Sequence, residues 1–125
     1  MTQLLQVAQH ADDLDRAADF YTTVLGGTML ATFNPPGLAF VGFDGVRLLL
    51  EQAAPSALIY LQVPDVRQSI DQLRAGGVAI HTEAHRIHVD SDGAFGEPGW
   101  EEWMAFIRDS EGNLVGLASR HAPTT

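Results

Sequence analysis

The stretch "DLDRAADFYTTVLGG", Asp13–Gly27, and the stretch "DVRQSIDQLRAGG", Asp65–Gly77, open 52 residues apart and have the same plan. Each starts on an aspartate and ends on a glycine pair. An aspartate side chain can accept a bond from a free amide at a helix start, and glycine relieves the strain of a helix end. In the first stretch Leu14, Ala17, Ala18, Tyr21 and Leu25 recur at helical spacing, and Asp12 or Asp13 can serve as the cap. In the second, Val66, Ile70 and Leu73 form the apolar stripe, and Asp65 and Gln68 are spaced for a capping box.

Working outward, each helix is preceded by a short apolar run, Leu4–Ala8 in one case and "ALIYLQVP" in the other. Strands are expected after the first helix at Thr28–Phe33, Leu38–Phe43 and Val46–Glu51, split by the turn signals "NPPG" and "DG". After "AAPS" and the second helix come two short extended pieces, "VAIHTE" and "HRIHV". A polar, glycine-rich loop "DSDGAFGEPG" follows, then the strands "EEWMAFIRD" and "NLVGLASR", turning at Ser110–Gly112, and a frayed tail "HAPTT". Strand, helix and three strands thus occur twice, in module one at about 3–52 and module two at about 56–120. Neither module has much core alone, so both belong to a single domain, 1–125, of α+β class.

The 125 residues carry seven basic and sixteen acidic side chains, a net charge of −9. That excludes a basic footprint for nucleic acid and disfavours an anionic membrane. All seven cations are arginines, whose planar fork suits carboxylate or phosphate. There is no cysteine, which rules out disulfides, thiolate catalysis and cysteine-held zinc or iron–sulfur sites. With no signal-peptide pattern and no apolar run long enough to span a bilayer, a cytoplasmic protein is the expectation. No glycine-rich strand–helix junction suggests a dinucleotide site, and no nucleophile elbow is present.

"DLDRAADFYTTVLGG" together with "FIRDSEGNLVGL", Phe106–Leu117, resembles the vicinal oxygen chelate superfamily, which includes glyoxalases, epimerases, extradiol dioxygenases and bleomycin resistance proteins. The first matches the usual opening helix and the second the usual closing turn, with Ser110 where proline is common. The resemblance implies paired βαβββ modules forming an incomplete barrel around a cleft. It also implies a homodimer, and in catalytic members a divalent metal held by the first and last strands of each module. At those positions this chain has Gln6, Leu48, Leu58 and Gly116. Leucine and glycine offer no donor, so no metal is expected there and a cofactor is disfavoured.

"HRIHVDSDG" and "EEWMAFIRD" resemble a loosely labelled epimerase-like or glyoxalase-like subgroup. His85, His88 and Glu102 are the candidate catalytic groups, as proton carriers or as part of a relocated metal site. As strand neighbours three apart, His85 and His88 are expected on opposite faces. Alternation puts Glu102, Met104, Phe106 and Arg108 on one side and Trp103, Ala105 and Ile107 on the other. Candidate ligand-binding residues are Gln6, Arg86, Phe95, Trp100, Trp103, Met104, Phe106, Arg108 and Gly116, with Phe95 and Trp100 placed to act as a lid. Three readings stand: a metal-free binder of a small organic molecule, a lyase or isomerase moving a proton beside a carbonyl, and a non-catalytic structural or regulatory protein.

Overall fold

A computed structural model describes residues 1–123. Along the chain run β1 (Gln6–His10), α1 (Leu14–Asp19), β2 (Thr28–Phe33), β3 (Leu38–Phe43) and β4 (Val46–Glu51). Then come β5 (Ile59–Gln62), α2 (Val66–Ala75), β6 (Ile80–Asp90), β7 (Trp100–Arg108) and β8 (Leu114–His121). The βαβββ order is present twice. The sheets are ordered β1-β4-β3-β2 and β5-β8-β7-β6. In each, the first strand lies parallel to the last and the other pairings are antiparallel.

The chain divides into two compact units, the first being Met1–Ala57 together with the turn Asp109–Asn113. Here Asp13 caps α1 by accepting the Arg16 N–H at 3.0 Å. The helix widens into a π-helical turn at Phe20–Val24, with the Leu25 N–H donating to Phe20 O at 3.1 Å. Ala17, Phe20 and Tyr21 are buried, as are Gln9, Ala39, Val41, Leu48 and Leu50 of the sheet. The chain leaves the helix so close to β3 that a Cβ on Gly27 would stand 2.5 Å from Val41 Cγ1. Asp44 and Gly45, with φ of 45° and 87°, make the tight β3–β4 turn that "DG" signals.

The turn Asp109–Asn113 is bonded into this unit at three points. The Tyr21 hydroxyl donates to Asp109 Oδ2 at 2.6 Å, and Asn113 Nδ2 donates to the His10 carbonyl at 2.8 Å. The Glu111 carboxylate accepts from Arg16 Nε at 2.7 Å and from the Asp13 N–H at 2.8 Å.

The second unit holds Leu58–Arg108 and the chain from Leu114 onward. Asp65 caps α2 through the Arg67 N–H at 3.0 Å, and Ser119 Oγ accepts the Val66 N–H at 2.9 Å. Val66 and Ile70, one turn apart, are buried, as are Ala105, Ile107, Val115 and Leu117 of the sheet.

Three expectations change. β1 begins at Gln6, leaving Leu4 and Leu5 exposed. "VAIHTE" and "HRIHV" are not separate pieces but parts of one strand, β6, whose eleven residues follow the nine of β7 through three register shifts. His121 is the last residue of β8 rather than the start of a tail, while Thr124 and Thr125 lie outside the described residues.

Candidate functional site

In the second sheet the buried Ala105, Ile107, Val115 and Leu117 alternate with residues on the face away from α2. On β7 these are Glu102, Met104 and Phe106, opposite Arg120, Ala118 and Gly116 of β8. Tyr60 pairs with Gly116 from the other side, and Leu58, two residues earlier, shares its face.

Gly116 is bare because Tyr60 fills its space. A Cβ there would stand 2.5 Å from Tyr60 Cδ2 and 3.2 Å from Phe106 Cε1. The Tyr60 and Phe106 rings meet edge to face, 5.8 Å apart at 76°. Tyr60 and Leu58 are both about half exposed.

Across β7, His85 pairs with Met104 and His88 with Glu102. Three steps along β6 thus match two along β7. The extra residue is a β-bulge, and it carries both histidines to the face of Glu102, against the expectation of opposite faces. His85 Nδ1 lies 2.9 Å from the Glu83 carbonyl, so the neutral ring donates there and leaves Nε2 as the acceptor.

Glu102 is engaged. Its carboxylate accepts from Arg120 Nη1 at 3.0 Å, and the same nitrogen lies 3.0 Å from Asp90. Asp90 accepts the N–H groups of Phe95 at 3.0 Å and Ala94 at 2.9 Å. The Phe95 amide above all, with the Ala94 amide and Arg120, holds the Asp90 carboxyl below its ordinary value against partial desolvation. The "DSDGAFGEPG" loop is therefore wrapped around one carboxylate, and it sets the exposed Phe95 ring edge-on to His88 at 6.2 Å.

Other candidates lie elsewhere. Trp103 pairs with Arg86 on the helix-facing side, under the Arg67 guanidinium at 4.8 Å. Trp103 Nε1 donates to Glu101 at 2.9 Å, and Arg86 reaches the same carboxylate at 3.4 Å. Trp100 is half-buried opposite Asp90, and Arg108 is exposed at the end of β7. The contributions of Tyr60 and Arg120 were missed from sequence. Alternation with Leu58 is the one sequence signal for the face of Tyr60, and the pairing of β5 with β8 that sets it over Gly116 comes from the fold.

The family's metal positions do not fit a divalent ion. Gln6 pairs with Arg47 and Val7 with Leu48, so Gln6 and Leu48 lie on opposite faces of the first sheet. On Gln6's face β4 carries Arg47, Leu49 and Glu51, while Leu48 faces the other way. The Gln6 Oε1 is buried and has no hydrogen-bond partner among the described residues. It is a lone neutral donor, while Leu58 and Gly116 of the second unit add none. Among the described residues no three His, Asp or Glu side chains group to hold a metal, and no helix is long and apolar enough to cross a membrane.

A lactoylglutathione lyase from Agrobacterium tumefaciens has a similar structure, at 22% identity and TM-score 0.70 over 95% of this chain and 94% of that one. An antibiotic binding protein from a Streptomyces species matches at 22% identity and TM-score 0.69, covering 95% and 96%. A glyoxalase I of Leishmania major, described as trypanothione-dependent, matches at 24% identity and TM-score 0.69, covering 95% and 87%. No curated protein matches the chain. The model of one family matches residues 3–117, nearly the full length of the two βαβββ repeats, and the chain accordingly belongs to the glyoxalase/bleomycin resistance protein/dioxygenase superfamily.

Proposed function

We propose that this protein binds a small, flat organic molecule on the face of the second sheet away from α2, without the divalent metal of catalytic relatives. The observation that carries the reading is the Tyr60 ring over Gly116, where the resemblance places an acidic metal ligand. An aromatic ring at that spot trades a cation ligand for a stacking surface. Leu58, Met104 and Phe106 extend it, and Phe95 stands exposed at its His88 margin. The Streptomyces antibiotic binding protein supports such a use of the fold.

Calorimetric titration with a set of flat aromatic compounds, alongside elemental analysis of the purified protein, tests this. Saturable binding is expected, weakened about tenfold in Tyr60→Ala through loss of ring packing. A stoichiometric divalent metal in the purified protein would overturn it.

A second reading, proton transfer beside a carbonyl, is favoured by the bulge that gathers His85 and His88 on the face of Glu102. Because Glu102 is paired with Arg120, the imidazoles are the better proton carriers in that reading. Turnover of a glutathione hemithioacetal or of methylmalonyl-CoA, lost in His88→Gln, is its expected signature.

A further inference from the structure

His10 closes β1, and both its ring nitrogens face acceptors only. Nδ1 lies 3.0 Å from the Gln52 carbonyl and 3.1 Å from the Ala54 carbonyl. Nε2 lies 2.9 Å from Asp12 Oδ1. A neutral imidazole has one N–H and the imidazolium has two. The charged ring alone can donate at both ends.

The adjacent residue gives the contrast. Gln9 is fully buried, and its amide donates to Ala57 O at 3.0 Å while accepting the Ala57 N–H at 2.7 Å. Gln52–Ala57, the segment leading from β4 to β5, is therefore gripped twice by β1. The grip at Ala57 cannot titrate. The grip at Gln52 and Ala54 depends on a proton.

We infer that the His10 imidazolium is a proton-operated cross-link between the β1–α1 junction at Asp12 and the Gln52–Ala54 end of the segment that leads into β5. When one proton leaves, the ring keeps only one end. The Nδ1–H tautomer holds the carbonyls and frees Asp12, and the Nε2–H tautomer holds Asp12 and frees the segment.

The charged surroundings favour the closed form. Asp12 is the direct partner, and Glu51 is the cross-strand neighbour of His10. The Asp13 carboxylate accepts the Arg16 N–H, and the Arg16 guanidinium is paired with Glu111. Partial desolvation opposes the charge, but the bonds to Asp12, Gln52 and Ala54 outweigh it and raise His10 above 6.5. For a raised histidine, the stabilisation is complete below the unfolded value and is lost as pH rises through the folded one. The cross-link thus opens as pH rises through a folded value above the ordinary 6.5.

Nitrogen NMR of the intact protein reads both ring nitrogens directly. Both are expected to stay protonated up to a midpoint above 6.5, the ordinary value, and Asp12→Asn should lower that midpoint. Hydrogen exchange, corrected for intrinsic rate, should be about threefold slower or more in the charged state at whichever end the neutral ring frees, the Gln52, Ala53 and Ala54 amides or the Asp12 amide. In His10→Gln this pH response should vanish. A midpoint at or below the ordinary value, equal exchange in the two states at both ends of the cross-link, or an unchanged response in His10→Gln would each overturn the inference. Should His10→Gln fail to fold, Asp12→Asn carries the test, because that side chain is 65% exposed.

Discussion

At Gly116 even a methyl group would crowd Tyr60 Cδ2 and Cε2, at 2.5 and 2.7 Å. The Tyr60 ring is about half exposed and can swing aside. Gly116→Ala is therefore expected to cost about 1 kcal/mol, the low end for overpacking. In a Tyr60→Ala background most of that cost should disappear, which a double-mutant cycle in urea measures. Tyr21 contrasts with it, being fully buried with its hydroxyl on Asp109. Burial first, and then the Asp109 carboxylate, keep its phenol protonated far above the ordinary range. Tyr21→Phe takes one donor from a buried carboxylate and should cost about 1.5–3 kcal/mol in equilibrium unfolding. The empty position at Gly116 was legible in the sequence, but its occupant was not. Tyr60 reaches it through a parallel pairing of distant strands, which has no local signature.

Among the elements, α1 is clipped by a residue far along the chain. The Glu111 side chain is fully enclosed, and its bonds to Arg16 first, then to the Asp13 amide and Ser110, lower its pKa to about 2 against the cost of desolvation. For a lowered carboxylate, stability is complete above the ordinary value of 4.5 and is lost as pH falls toward about 2. The stability gap between the wild type and Glu111→Gln should close over that interval in acid titrations followed by circular dichroism. The Ser91–Gly99 loop is held by the Asp90 carboxylate and by Arg120, whose Nη2 donates to the Glu97 carbonyl at 3.0 Å. Asp90→Ala removes the acceptor of two loop amides and of Arg120, so limited proteolysis should cut this loop markedly faster than in the wild type. Strands β2, β3 and β4 fall on the residues expected of them, because "NPPG" and "DG" mark their ends chemically. β6 was less legible. Its register shifts carry no marker in "HTEAHRIHVD", and those shifts decide which way His88 faces.

At the scale of the whole molecule, the repeat of helices capped by Asp13 and Asp65 disclosed two modules, and the structure has two. The sequence did not disclose that the first unit includes Asp109–Asn113. Tyr21 and Asp109 are 88 residues apart, beyond the reach of any periodicity. A fragment of residues 1–57 lacks the partners of Tyr21, Arg16 and the His10 carbonyl. It is expected to show no cooperative thermal transition by circular dichroism, while mixing with residues 58–125 should restore one. The same arrangement bears on how the protein is born. A nascent chain commonly folds its amino-terminal part first while translation proceeds at about 5–20 residues per second. Here the ribosome must release Asn113 from its exit tunnel before the earliest-made module can complete its bonds, so that module stays open to chaperones while the strands of the second one are being made.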